Sequence, residues 1–506
     1  MTAIGTSSTV AVVGTGTMGQ GIAQVALVAG HPVRLYDTAS GRAAQAAEEI
    51  VRRLDRLVEK GRITADARDA ARTRLSPADS LAELADAALV IEAILEQLPA
   101  KQELFTALED IVAADCLLAT NTSSLSVTAV AGRLRHPGRC VGLHFFNPAP
   151  LLPLVEVISG FATDEAAAAL AYDTAAAWGK TPVRCTDTPG FVVNRIARPF
   201  YAEALRVYEE RVADPATIDA VLRDGTGFRM GPFELTDLIG QDVNEAVTHS
   251  VWQAFFQDPK FTPSLAQRRL VESGLHGRKA GRGWFDYSEG AARPEPRTAA
   301  PCPAPASVGL HAKLPGPAVV LRELIEEAGI KVTRDRTPGE SEGFLRLPGG
   351  ACLALTNGYP ATSNAYGKYI RFDLSLDYRA ATRIALAASA AVSEADLAEA
   401  VGLFQALGKQ VSVIEDVPGM IAARTIAMII DFAVDAAARG VASPEDIDTA
   451  MRLGVNYPGG PMEWAEQLGA QWVWDLLDSM HHQNPGGRYV PSWALRRRAD
   501  LEEQVL

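Results

Sequence analysis

The stretch VAVVGTGTMGQGIAQVALVAG, beginning at Val10, leaves a chain few choices of fold. A β-branched run ends at Gly14, and Gly16 and Gly19 follow at the head of an alanine-rich helical pattern, with Thr17 and Met18 between them. Glycines at these places permit a tight turn and a close backbone approach, while the open N–H groups of the helix N-terminus attract a pyrophosphate. Gly-rich turns also serve ordinary strand-to-helix joins. Here, however, Asp37 closes the next strand pattern, PVRLYD, at the distance where an acid hydrogen-bonds an adenosine ribose. The combination predicts a Rossmann-type α/β unit that binds a dinucleotide. NAD is favoured over NADP because an acid at that place repels a 2′-phosphate, a preference that Arg34 and Arg42 nearby soften. Taken alone, Asp37 also reads as a cap of the following helix.

Short apolar runs continue to alternate with helical stretches, through LVIEAI, CLLAT and CVGLHFF, as expected for βαβ units and a parallel sheet. Residues 1–187 are therefore expected to form the dinucleotide domain. From Thr188 the strand patterns vanish, and helix-compatible segments such as NRIARPFYAEALRVYEE fill 188–290. RPEPRTAAPCPAPASVG follows, where repeated prolines deny helical hydrogen bonds, so 291–316 reads as an extended linker. Residues 317–415 read as a degenerate α/β segment with no Gly-rich fingerprint.

The remainder, 416–506, repeats the helical domain. GKTPVRCTDTPGFVVNR from Gly179 aligns without gaps to GKQVSVIEDVPGMIAAR from Gly408, an offset of 229 residues. The same offset carries Pro215, Ile218, Asp219, Arg223, Gly225, Gly231, Pro232 and Glu234 onto Pro444, Ile447, Asp448, Arg452, Gly454, Gly460, Pro461 and Glu463. Ala423 falls where Asn194 stands, and no HFFNP-like string precedes it, so the second copy is expected to do no chemistry.

A formal charge of −13 argues against nucleic acid as the main partner, since phosphate neutralisation needs clustered Lys and Arg. The five cysteines are scattered without a CxxC pair, which disfavours a disulfide framework and a zinc site and suits a reducing compartment. No leader pattern and no long apolar run is seen, so a cytoplasmic protein without a membrane segment is expected. No metal is expected either, as no HxH or HExxH set occurs.

GLHFFNPAPLLPLVEVI carries His144, Asn147 and Glu156 near the end of the α/β stretch. Imidazole titrates near ~6.5, so a histidine beside a nicotinamide can take a hydroxyl proton, and a carboxylate on its far nitrogen fixes its tautomer. Spacing alone favours reading His144 as a structural histidine and Glu156 as a solvated acid. The strings decide more. GTGTMGQGIAQV, EAILEQLPAKQELF, NTSSLS, GLHFFNP, PLVEVI, DTPGFVVNR, GPFEL and RKAGRGWFDY occur in the order and spacing of the 3-hydroxyacyl-CoA dehydrogenase family, which the first ~290 residues resemble nearly end to end.

That resemblance implies that His144 is the base, Glu156 its orienting partner, and Ser123 and Asn194 the donors to the substrate oxygen. For the cofactor, NAD, it implies Asp37, Glu96, Lys101, Ser123, Asn147 and Lys279 beside the glycine turn. Glu96 and Lys101 also read as a solvated charge pair on a helix, and Lys279 as part of a basic turn. For coenzyme A the family has a serine and a lysine after Asp37; only Lys60 matches, and Arg53 replaces the serine, which puts this contact in doubt. The length and two-copy layout resemble the longer bacterial members associated with phenylacetate-type and 3-hydroxybutyryl-CoA metabolism. The implied partner is an acyl-CoA, and the implied assembly a homodimer or an internal pseudo-dimer. Two rivals remain: a gulonate-type sugar-acid dehydrogenase, which shares the Rossmann fingerprint and the HFFNP string, and a non-catalytic crystallin-like protein built on the same fold.

Overall fold

The computed structural model describes residues 3–336, 342–363 and 367–505, which fall into two compact units. The first comprises residues 1–195 together with 439–455, and the second 196–438 together with 456–506. Among the described residues no helix is long and apolar enough to cross a membrane.

The first unit is built on an eight-stranded sheet: β1 (Thr9–Val13), β2 (Val33–Tyr36), β3 (Leu75–Pro77), β4 (Ala87–Glu92), β5 (Leu117–Thr120), β6 (Cys140–Phe145), β7 (Leu154–Ser159) and β8 (Thr181–Thr186). Its order is β3-β2-β1-β4-β5-β6-β7-β8. The central strands are apolar on both faces because helices cover both sides. Val10 and Val12 enter one core with Ile22, Leu35 and Ile50, while Ala11 and Val13 enter the other with Phe105 and Leu118. Every pairing is parallel except β6 with β7. That antiparallel pairing places residues 144 and 156 side by side.

The second unit holds most of both helical copies and another sheet of seven strands: β9 (Ser307–His311), β10 (Lys331–Arg334), β11 (Phe344–Arg346), β12 (Cys352–Leu355), β13 (Tyr369–Phe372), β14 (Arg383–Ala388) and β15 (Gln410–Val413), in the order β10-β9-β11-β12-β13-β14-β15. β9 lies inside the stretch read as linker, which corrects that boundary: no proline occurs between Pro305 and Pro315, and the SVGLH between them is free to pair. The buried helix Ala422–Ala438 packs against Arg198–Glu209, so the two helical copies share one core. Buried Arg488 pairs with buried Glu203 at 2.6 Å, which matters because either charge alone would be costly to bury.

The offset of 229 extends from the sequence into the sheets. β7 pairs with β8 with Leu154 beside Thr181, and β14 pairs with β15 with Arg383 beside Gln410. Each sheet is then finished by a segment of the other helical copy. In the first unit the Thr186 N–H donates to Val441 O at 2.8 Å, and Gly454 of the helix Pro444–Val455 lies against Leu154 and Val193. In the second unit the equivalent Glu415 N–H donates to Val212 O at 3.2 Å, and Gly225 of the helix Pro215–Thr226 lies against the carbonyl of Arg383.

Candidate active site

The C-terminal ends of β1, β2, β4, β5 and β6 lie along one edge of the first sheet, the edge at which open α/β sheets bind ligands. β1 runs into Gly14, whose φ of +94° suits glycine and where an added Cβ would lie 2.5 Å from Ala93 O. At Gly19 an added Cβ would lie 1.8 Å from Gly14 O, so this glycine lets the helix Thr17–Val28 close on the turn. Gly16 differs, since a Cβ there would meet no protein atom within 4 Å. Two of the glycines thus serve the chain's own packing, and the third keeps open the space above a helix N-terminus that no side chain caps.

Asp37, one residue past β2, accepts the Thr15 N–H at 3.0 Å and the Thr15 hydroxyl at 2.6 Å. Burial works to raise its pKa, but these bonds, the Ala39 N–H and the charge of Arg42 together lower it. A carboxylate kept ionised beside the glycine turn is the group a ribose diol requires. The open cradle at Gly16 and this acid together fit a dinucleotide.

Along the same edge, Glu96 gathers the turn after β5. Its Oε1 accepts from the Thr122 hydroxyl at 2.6 Å, from the N–H groups of Ser123 and Ser124 at 2.9 and 3.0 Å, and from the Ser124 hydroxyl at 2.9 Å. Ser123 Oγ stands farther from it, at 3.4 Å. Lys101, on the helix Leu98–Ile111, is 1 % exposed, with Nζ held by Glu92 at 2.5 Å and by Glu96 Oε2 at 3.1 Å. It is therefore not the solvated helix charge that its sequence context allows. Against the cost of burial, Lys101 and the hydrogen bonds from Thr122 and Ser123 draw the Glu96 carboxyl down to about 2.

His144 on β6 stands opposite Glu156 on β7, with Nδ1 2.6 Å from Oε2, and both side chains are buried. An ionised carboxylate only accepts, so Nδ1 carries the proton and Nε2 presents its lone pair. Glu156 Oε1 accepts the N–H groups of Val192 and Val193 at 3.0 and 2.9 Å, directly before half-buried Asn194. The preceding Gly190 and Phe191 both have positive φ, 75° and 49°, in a sharp turn at the start of this segment. Phe146 and Phe191 flank the imidazole, with ring centroids at 4.5 and 5.8 Å.

Most of the predicted residues therefore meet on one sheet edge: Gly14, Gly16, Thr17, Met18, Gly19, Asp37, Glu96, Lys101, Ser123, His144, exposed Asn147, Glu156 and Asn194. Arg53 lies on the helix Arg42–Glu59 and donates to Gln20 at 2.8 Å, and exposed Lys60 follows that helix. Lys279 belongs to the second compact unit, where it pairs with Asp242 at 2.6 Å. Sequence reasoning missed Thr15, Asn121 and Glu92. Asn121 accepts the Phe145 N–H at 2.9 Å and ties β5 to the histidine strand. Glu92 had a visible signal, as a lone acid inside the apolar run LVIEAI.

In the second sheet the 229-residue offset places Asp373 at the position of His144 and Ala385 at that of Glu156. The Asp373 N–H donates to Ala385 O, as the register requires. The pair has been replaced by one buried carboxylate, which accepts the N–H groups of Ile421, Ala422 and Ala423 at 3.0, 2.8 and 3.0 Å. The helix-capping half of Glu156's work is kept, and the imidazole is gone.

A cradle for a dinucleotide together with an oriented histidine on one sheet edge describes the class of nicotinamide-dependent dehydrogenases of Rossmann architecture. Comparison with known proteins narrows that class. Residues 9–188 match the family model for the 3-hydroxyacyl-CoA dehydrogenase NAD binding domain, and residues 190–287 and 419–504 match its C-terminal domain. Residues 353–418 match a 3-hydroxybutyryl-CoA dehydrogenase reduced Rossmann-fold domain. The chain belongs to the 3-hydroxyacyl-CoA dehydrogenase family, and its cofactor is NAD. It is 44% identical over 494 residues, 98% of either chain, to a protein of Escherichia coli K12 named 3-hydroxyadipyl-CoA dehydrogenase. A crystal structure of 3-hydroxybutyryl-CoA dehydrogenase from Escherichia coli K12 superposes with a TM-score of 0.89 at 42% identity, covering 99% of this chain and all of that one. The 3-hydroxybutyryl-CoA dehydrogenase of Mycobacterium tuberculosis is 40% identical over 280 residues, 55% of this chain and 98% of its own length.

Proposed function

We propose that this protein catalyses the reversible NAD-dependent oxidation of (S)-3-hydroxyacyl-CoA to 3-oxoacyl-CoA, with short or carboxylated acyl groups such as 3-hydroxybutyryl and 3-hydroxyadipyl as substrates. The names of its relatives support the substrate class. The observation that carries the chemistry is the 2.6 Å contact between His144 and Glu156.

Bound NAD would supply the acceptor for the hydride leaving carbon 3. His144 Nε2 takes the proton of the 3-hydroxyl, and Glu156 stabilises the imidazolium that results. Ser123 and Asn194 donate hydrogen bonds to the oxygen as it becomes a carbonyl. In the reverse direction the imidazolium returns its proton to that oxygen. Gly14, Gly16, Thr17, Met18, Gly19, Asp37, Glu96, Lys101, Ser123 and Asn147 serve the cofactor, and Arg53 and Lys60 offer cations to the phosphates of coenzyme A. The five unpaired cysteines, four of them buried, fit a reducing cytoplasmic setting. The assembly is a homodimer or an internal pseudo-dimer, and the exchanged helices support the second.

The test is NADH oxidation by the purified protein with acetoacetyl-CoA and 3-oxoadipyl-CoA, beside free acetoacetate and a His144→Ala variant. Turnover should require the thioester and fall by ~10²–10⁴ in the variant, the usual worth of a positioned acid–base group. Equal turnover of the free acid, or full activity without His144, would overturn the reading.

A further inference from the structure

Ser123 and Asn194, the two donors to the substrate oxygen, stand on segments where strand pairing has already stopped. β5 ends at Thr120 and β8 at Thr186, so the turn that carries Ser123 and the turn that leads to Asn194 both run on beyond the sheet. Half-buried Asp187, the first residue past β8, joins them. Its Oδ2 accepts the Ser126 hydroxyl at 2.6 Å and the Thr128 N–H at 2.8 Å, while its own N–H donates to Ser159 O at 3.0 Å. Ser126 in turn caps the short helix Val127–Ala131, accepting the Ala129 N–H at 3.1 Å. Farther along the Asp187 segment, Glu156 Oε1 holds the N–H groups of Val192 and Val193. The segment bearing Asn194 is thus tied to His144 through Glu156, and to the segment bearing Ser123 through Asp187.

The duplicated half repeats this clip. The offset of 229 takes Asp187 to Asp416, whose two oxygens accept the N–H groups of Ala361 and Thr362 at 2.7 and 2.8 Å. Those residues begin the helical turn Ala361–Ser363 after β12, the strand that takes in the second sheet the place of β5 in the first. Asp373 and Ala423 replace His144 and Asn194 there, so the second copy shows the clip without the chemistry: an acid that holds a turn onto the sheet. In the first unit the same acid holds a turn that carries a donor.

We propose that Asp187 is a positioning residue for the reaction: it clips the segment bearing Ser123 to the segment bearing Asn194, and so sets the spacing at which both hydrogen-bond one substrate oxygen. Donors stabilise a reacting oxygen only where they are held in place beforehand, and a misplacement of about 1 Å can cost ~10²-fold in rate. Without the carboxylate, Ser126 and Thr128 lose their hold on the Asn194 segment, and the two donors are free to drift apart.

This role rests on the reading of Ser123 and Asn194 as donors to substrate, and the test separates the two. Asp187→Ala should slow the single-turnover oxidation of NADH by acetoacetyl-CoA about 10- to 100-fold, while the Kd for NADH, read by fluorescence, stays within about threefold of the parent. Asp187→Asn keeps an acceptor oxygen at the same place and should recover most of the loss. Asp416→Ala breaks the twin clip where no chemistry occurs; it should lower the melting temperature as Asp187→Ala does and keep the parental rate. In a Ser123→Ala/Asn194→Ala background, Asp187→Ala should cost almost nothing further, because residues that act through one another are not additive. Ser126→Ala, which removes one of the two links, gives the same comparison should Asp187→Ala not fold. A parental rate in folded Asp187→Ala or Ser126→Ala, an asparagine variant no faster than the alanine one, or a full further loss in the double-alanine background would overturn the clip while leaving the donors' roles intact. A Ser123→Ala/Asn194→Ala enzyme with the parental rate would bring down both.

Discussion

Glu156 touches His144 with one carboxylate oxygen and the N–H groups of Val192 and Val193 with the other, so a single side chain aims the imidazole and anchors the segment bearing Asn194. Replacing it by glutamine keeps an acceptor for the backbone but removes the charge that balances an imidazolium. Glu156→Gln should lower kcat by ~10²–10⁴ with little change in the affinity for NADH. Combined with His144→Ala, it should cost little more than His144→Ala alone. Steady-state kinetics of the three variants check this.

Asp373 performs only the anchoring half of that work. Asp373→Ala strands the N–H groups of Ile421, Ala422 and Ala423, which it caps. At about 1–3 kcal/mol for each buried orphan, less what water recovers, the loss of stability should reach about 3 kcal/mol. The kcat of the folded fraction should not change. Denaturant unfolding followed beside an activity assay reads both, and a loss of kcat at unchanged stability would contradict the assignment.

The glycine turn predicts a contrast between two alanine substitutions. Gly16→Ala adds a Cβ that meets no protein atom, so the fold should be kept while the KM for NADH rises at least tenfold. Gly19→Ala drives a Cβ to within 1.8 Å of Gly14 O and should lower the melting temperature before any kinetic effect can be assigned. Melting curves and NADH titrations separate the two cases.

Glu96 gives a pH signature. Its carboxyl is drawn from the ordinary 4.5 to about 2, so the ionised form is favoured in the folded chain. Its contribution is present above about pH 4.5 and disappears as the pH falls toward 2. Glu96→Gln should be less stable than the parent at pH 7, and the difference between their denaturation midpoints should narrow steadily below pH 4.5. A constant difference across that range would show that the charge is not what matters.

The exchanged helix gives a prediction for truncation. A fragment ending near residue 290 lacks the helix Pro444–Val455, whose Gly454 covers Leu154 and Val193. It should not be recovered as a monomer; it should associate, with the helix Pro215–Thr226 of another copy as the available substitute. Analytical ultracentrifugation checks this, and an active monomeric fragment would contradict it.

The sequence by itself determined the nucleotide unit and the duplication, and it named the candidate site residues. Gly14, Gly19 and Asp37 are legible because local backbone geometry admits few residue types there, and the 229-residue offset is legible because ProGly turns and helix starts recur at fixed places. Only the tertiary structure decided that β7 runs antiparallel to β6, which turns a spacing of twelve residues into a contact between His144 and Glu156. It likewise decided that Lys101 is buried between two carboxylates rather than solvated, that β9 begins inside the proline-rich stretch, and that Asp373 stands in the histidine's place. These outcomes depend on strand order and on which side chains are shut away from water. Both are set by contacts between residues far apart in the chain, and no local pattern records them.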